Sequence, residues 1–416
     1  MNISSRSAVR RLATARLISI TGGAAAFIAL NYTLYVETGS TAWVAAGLVA
    51  TFGVQGIVGP FAGILGDRFD RRRVMIVSDL LGAVFYLAMA AVTDRPVLLI
   101  AFALCAAVVE LPFESSSAAA IPNLAGEDDL AKANSLVAIG RYAGIAVGPA
   151  IGGIFVDQFG PTWVFLVNGL SFVGSAAIVW SIRVRFSRER SEDDIHDHGL
   201  AAVRAGIAFL RRQPVLLRIT LAWTVLVLGL GMSMVADVPF AEEFGQSGGG
   251  YGFIIGAWGV GSVVGSFLGR FLTVRTERVV IVCSTLGIAL TSAAIGLAPL
   301  FWIALVFLVL NGVNDSIGLV AEQSLRQRST PDALRARVMA ASESLWQLAM
   351  LLSFLLAAPV IDALGARGVY LLGGAFGLVA TAILVPLLRH GHGQHDETEP
   401  TLKQPIVGES QAGLTE

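Results

Sequence analysis

Apolar residues run along this chain in long unbroken stretches, without the short-period alternation of half-buried strands or the one-sided rhythm of surface helices. Stretches near residues 14–36, 42–66, 74–93, 97–120, 134–156, 162–182, 216–238, 250–271, 279–298, 300–323, 338–361 and 367–388 are set apart by short polar connections. Each is close to the length of about 20 residues that a helix needs to cross the hydrocarbon core of a bilayer. In lipid every backbone N–H and C=O must find its partner within the protein, which leaves helices or closed barrels. The runs are far too long and continuous for barrel strands. The pattern predicts an all-α membrane protein with twelve transmembrane helices.

Positive charge between the stretches is one-sided. The N-terminal segment, every second connection and the C-terminal tail hold the lysines and arginines; of the 29 in the chain, only Arg95 and Arg367 fall on the opposite side. Flanking Lys and Arg stay cytoplasmic, so both termini are expected in the cytoplasm of a cell-membrane protein. Arg6, Arg10 and Arg11 ahead of Ala24-Ala25-Ala26 superficially look like a signal peptide. The apolar run outlasts the about 7–15 residues of a signal core, so a retained first helix is expected. Charged residues make up 14% of the chain, against about 25% in soluble domains. The net charge of −1 points to no nucleic-acid partner. Cys105 and Cys283 lie within apolar stretches and read as small packing residues.

One connection is long. Residues 183–214 open with a charged run and end in an amphipathic stretch, Val203 to Leu210, before Arg211-Arg212. They read as a linker, either a solvated tether or one carrying a short helix on the membrane surface. The chain then divides into an N-terminal six-helix half (1–182), the linker (183–214), a C-terminal half (215–388) and a polar, disordered tail (389–416). The halves resemble each other at a shift of about 205 residues: Gly47 and Gly56 match Gly252 and Gly261, Asp157 and Gly160 match Asp362 and Gly365, and Phe165 matches Tyr370. Two related halves with a ligand held between them near the midplane is a transporter architecture.

The connection after the second stretch reads Gly63-Ile64-Leu65-Gly66-Asp67-Arg68-Phe69-Asp70-Arg71-Arg72-Arg73. It resembles the signature Gly-x-x-x-Asp-Arg-x-Gly-Arg-Arg of the major facilitators, with Asp70 where that signature has Gly. The resemblance implies a cytoplasmic gating loop, with Asp67 capping a helix across the two halves and Arg68, Arg71, Arg72 and Arg73 pairing with carboxylates at the inner end of the fourth helix. Gly144, Gly148, Pro149, Gly152 and Gly153 on the fifth helix resemble the antiporter motif of exporting major facilitators; close packing of small residues is the alternative. The chain as a whole is similar to the branch of enterobactin exporters and macrolide-efflux proteins. That resemblance implies a monomeric secondary transporter, driven by the proton gradient without a bound cofactor, that exports a small, partly apolar drug, antibiotic or siderophore. Importers share the fold, so direction stays open. A membrane enzyme or signalling protein is a remote alternative, since no clustered nucleophile, base or metal set is evident in the sequence.

Ionisable residues within a membrane default to functional candidates. All histidines lie outside the stretches; the tail's His390, His392 and His395 are a remote metal-binding possibility. Proton coupling is therefore assigned to carboxylates: Glu322 first, with no obvious cation inside its helix, then Glu114, Glu110, Asp315 and Glu343. Glu114 is equally suited to pairing with Arg141. Asp79 and Asp237 are further acidic residues within the stretches. Asn31, Gln55, Phe27, Tyr32, Trp223, Trp346 and Arg141 are candidates to line a cavity.

Overall fold

A computed structural model of the chain describes residues 3–54, 58, 69–125, 130–182, 186 and 207–388. The first half contains α1 (Ile3–Thr38), α2 (Thr41–Leu48, continued as a π-helical turn at Val49–Gly53), α3 (Arg71–Ala90), α4 (Pro96–Ala125), α5 (Leu130–Phe159) and α6 (Pro161–Ser181). The second contains α7 (Pro214–Glu242), α8 (Gly248–Leu268), α9 (Glu277–Leu297), α10 (Phe301–Arg328) and the run Asp332–Leu384, which folds back at Gly365 into α11 before that residue and α12 after it. Ten of the described helices are long and apolar enough to cross a bilayer; the longest is two spans, and Thr41–Gly53 is a shorter apolar helix. The fold is the twelve-helix arrangement of two six-helix halves. The signature residues Gly63, Gly66, Asp67 and Arg68, together with Gln55, lie outside the described residues, as do most of the linker and the tail.

The helices end where the sequence supplies stops. At the end of the bundle away from the termini, here termed distal, the turns α1–α2, α5–α6, α7–α8 and α11–α12 each carry a glycine with positive φ: Gly39 (62°), Gly160 (83°), Gly245 (68°) and Gly365 (70°). They pair across the repeat, Gly39 with Gly245 and Gly160 with Gly365. Gly160 and Gly365 also share ψ of 165° and 169°, a region essentially closed to residues with a side chain. Gly365→Ala is expected to destabilise the protein by about 1–3 kcal/mol and to lower its Tm in detergent. Gly174→Ala on α6, where an added Cβ meets nothing within 4 Å, is expected to leave Tm unchanged or raised.

At the opposite, arginine-rich end, Asp70 explains its own departure from the signature. Its carboxylate accepts from the Arg73 N–H at 3.0 Å and caps α3, a service glycine cannot perform. Arg71 donates to the Ala119 carbonyl of α4 at 2.8 Å, and Arg72 to the Trp180 carbonyl in the last turn of α6. Helix carbonyls, which are electronegative at a C-terminus, are thus among the groups these arginines hold. Residues 207–212 are helical, and Leu210 is buried against Leu216, Val338 and Ala341. The described end of the amphipathic stretch therefore packs its apolar face on the bases of α7 and α11.

Within each half, small residues let backbones touch. A Cβ on Gly261 of α8 would run into the Val309 carbonyl of α10, and one on Gly312 of α10 into the Trp258 carbonyl of α8. The halves meet along α5 with α8 and along α2 with α11. At the second seam Leu48, Phe354 and Ile361 share one apolar cluster.

Candidate functional site

Between the halves lies a cavity of about 600 Å³. Its walls come from both: α1, α3 and α4 on one side, α7, α8 and α10 on the other, with α5 and α12 at the edges. Aromatic faces line much of it, among them Phe27, Phe113, Phe172, Trp223, Trp258 and Tyr370.

Six charged residues reach this space: Arg16, Asp79, Glu110, Glu114, Asp237 and Asp315. Arg16 donates to Glu114 at 2.7 Å, and Arg141 stands 4.0 Å from the same oxygen. Glu114 is thus an ion-paired residue, with a principal partner that the sequence placed merely at the end of its helix. Asp79 is 1% exposed, and both its carboxylate oxygens lack a hydrogen-bond partner. Glu110 faces the Tyr86 hydroxyl, and its Oε1 is buried and unpartnered. Across the cavity, Asp237 accepts from the Tyr370 hydroxyl. Asp315 on α10 has neither a hydrogen-bonding nor an ion-pair partner among the described residues.

The distal end is sealed. Asp157, in the last turn of α5, accepts from Ser247 Oγ at 2.7 Å and the Gly249 N–H at 2.8 Å, so a carboxylate of one half caps the first turn of α8 in the other. Beside it Ile28, Val238 and Tyr251 form a buried apolar plug with Tyr32 and Tyr35 packed on it. The fifth-helix glycines build this seam from two faces. Gly144, Gly148 and Gly152 lie against Thr21 and Ala25 of α1; Gly153 lies against the Gly248 backbone, and the Pro149 carbonyl against Gly252.

A family model described as a transmembrane secretion effector matches residues 5–410. The chain belongs to that family, within the major facilitators. The enterobactin exporter EntS of Escherichia coli (strain K12) is 23% identical over 397 residues, covering 92% of this chain and 93% of the exporter. That of Shigella boydii serotype 18 is 23% identical over 391 residues, covering 92% and 91%. Among solved structures, a bacterial homologue of the human lysosomal transporter Spinster, inward-facing and unoccupied, superposes with a TM-score of 0.71 at 13% identity, covering 94% of this chain and 98% of that one. A bacterial homologue of the iron transporter ferroportin gives 0.70 at 18%, covering 91% and 98%. The nucleoside transporter NupG gives 0.70 at 13%, covering 94% and 100%. This secretion effector is a membrane transporter and not an enzyme.

In this transporter the sequence candidates separate. Glu110, Glu114, Asp315, Phe27, Trp223 and Pro149 line the cavity. Glu322 does not: it is fully buried within α10, in contact with Arg326 one turn away, so the expectation that no intramembrane cation faces it is corrected. Glu343 is exposed on α11 and accepts from Gln347 at 3.2 Å, away from the cavity. Asn31 is 0% exposed and donates to the Phe27 carbonyl of its own helix. Tyr32 belongs to the distal plug, Arg141 to the flank of Glu114, and Trp346 lies 4.5 Å from Arg326. As cavity linings these four are corrected too, since each is engaged with other groups. Arg16, Trp258, Tyr86 and Asn311, which do line it, were not singled out as liners. Asp79 and Asp237 were noted only as acids within spans.

Proposed function

We propose that this secretion effector is a proton-coupled exporter of a small, partly apolar compound, working by alternating access in the cell membrane with both termini cytoplasmic. The observation that carries the reading is one cavity, walled by both halves, in which carboxylates without a basic partner sit among aromatic faces. Taking a charge out of water is costly unless another charge faces it. A carboxylate placed so can hold a proton or a ligand in turn, and that exclusion is what couples two fluxes. Asp315 is the leading coupling residue because nothing described competes for it; Glu110, Asp79 and Asp237 are the others.

The distal seal, with the arginine-rich end placed in the cytoplasm by its charge, corresponds to the state that loads from the cytoplasm. Similarity to the enterobactin exporters supports export. The linker 183–214 ties the two rocking halves together.

The test is uptake of dyes and antibiotics into inside-out membrane vesicles under an imposed pH gradient. Accumulation is expected to collapse when the gradient is dissipated. In Asp315→Asn, gradient-driven accumulation is expected to fall at least tenfold. Accumulation indifferent to the gradient would instead make the protein a facilitator or assign another coupling ion.

A further inference from the structure

We infer that the ligand of the central cavity is an organic cation, an amphiphile carrying a protonated or quaternary amine against an aromatic body. This rests on the reading of that cavity as the transport site.

The charge census decides the sign. Five carboxylates and one arginine line the space, and the arginine is already held by Glu114. That leaves Asp79, Glu110, Asp237 and Asp315 with no described cation in contact. Residues 55–66, which lie largely outside the described residues, contain no Lys or Arg to change the balance. Asp79 is the sharpest of the four. It lines the cavity, is 1% exposed, and neither oxygen is held in good hydrogen-bond geometry, although the Ser175 hydroxyl and the charge of Arg16 act on it. A buried acceptor left unsatisfied is costly, and an ammonium group entering the cavity would supply both a donor and a countercharge. An anion would meet these carboxylates in a medium that screens poorly, and the guanidiniums nearest to it, Arg16 and Arg141, both stand at Glu114.

The rest of the lining fits the rest of such a molecule. Trp223, Trp258, Phe27 and Phe172 line the cavity, and aromatic rings attract cations and pack on apolar bodies. Both indole N–H groups are buried and unpartnered, so polar substituents on the ligand have donors to meet. A cavity of about 600 Å³ falls inside the range of about 300–1,000 Å³ typical of pockets for drug-sized ligands. No group of three or more metal-ligating side chains occurs among the described residues, which favours a diffuse organic charge over a bare metal ion. The acids also stand on both halves, Asp79 and Glu110 on the first, Asp237 and Asp315 on the second. A cation between them is attracted to both walls, and its arrival favours their approach.

Tetraphenylphosphonium and tetraphenylborate have nearly the same shape and opposite charge, and they separate this inference from mere hydrophobic capture. Binding of each to the purified full chain in nanodiscs is measured by equilibrium dialysis against empty nanodiscs. The phosphonium is expected to bind saturably and the borate at least tenfold more weakly. Asp79→Asn and Asp315→Asn, on opposite walls, are each expected to weaken the phosphonium at least tenfold, whereas Glu343→Gln, outside the cavity, leaves it unchanged; an unaltered Tm shows that each variant is folded. Equal or tighter binding of the borate, or phosphonium binding indifferent to both Asp variants, overturns the inference. Vesicles that accumulate a neutral or anionic antibiotic under a pH gradient, from a protein that ignores the phosphonium, would end the cation assignment and leave the transport reading standing. Saturable, Asp79-dependent phosphonium binding in a protein that moves nothing under any gradient would uphold the cation site and end the transport reading.

Discussion

Arg326→Leu is expected to cost the protein about 3–5 kcal/mol of stability, and Arg326→Leu combined with Glu322→Leu to restore most of it. The two side chains are 3% and 0% exposed and lie one helical turn apart on α10. The guanidinium also stands 4.5 Å from the Trp346 ring, whose Nε1–H donates to the Thr220 carbonyl at 3.3 Å. The pair therefore sits at the centre of the packing between α7, α10 and α11. Removing one partner strands a charge where water cannot reach it, while removing both replaces two desolvated ions with apolar volume. Thermal unfolding in detergent of the two single variants and the double variant measures this directly. The same series separates stability from coupling. If Glu322 carried the transported proton, Glu322→Gln would retain its Tm and lose gradient-driven accumulation. The geometry predicts the reverse, a lowered Tm and a yield that falls with it.

Gly153→Val is expected to force the distal seam open, raising access to the cavity from that side at least tenfold. A Cβ at this position would stand 3.0 Å from Gly249 Cα and closer still to the Gly248 carbonyl. Neither neighbour can yield, because both are backbone at the start of α8. The clash lies between the halves and not inside one, so the halves separate and each stays folded. Asp157→Ala is the milder version. It removes the cap that joins α5 to α8, a contribution of about 1 kcal/mol, and shifts the balance roughly fivefold. The readout is labelling of Ser233→Cys, which lines the cavity on α7, by a membrane-impermeant maleimide applied from the distal side, with Cys105 and Cys283 replaced by Ser. Labelling no faster than in the unaltered seam would mean that the α5–α8 contact does not hold this end shut. The seal is asymmetric, which sharpens the experiment. Asp362, the repeat partner of Asp157, is exposed, and α2 is capped by its own Ser40. Asp362→Ala is therefore the matched control and is expected to change little.

Much of this molecule was legible before any coordinates. Continuous apolar runs fix helix number because lipid offers the backbone no alternative partner, and one-sided arginine fixes the expected orientation for the same electrostatic reason. The repeat was visible at Asp157, Gly160, Asp362 and Gly365 because two turns with the same backbone demand need the same residues. The glycines of α5 announced close packing, though not that Gly144, Gly148 and Gly152 face α1 while Gly153 faces α8. The candidate site was legible only in part. Glu110, Asp315, Phe27 and Trp223 were found because polar or aromatic residues in a span stand out. Asp79 and Asp237 stood out as acids, but their place in the cavity did not. Spacing along one helix shows which residues share a face without showing which face meets the cavity, and so Trp346 and Asn31 read as cavity linings and Glu322 as the coupling residue. Arg16 looked like a flanking charge, yet at the cavity it meets Glu114, far away in the chain. Asp157 as a cap on another helix was invisible for the same reason. The sequence by itself determined the solvent, the helices, the two halves and the family. Only the tertiary structure decided which buried charges have partners, because a charge's partner in a bundle is set by helix rotation and depth and not by distance along the chain.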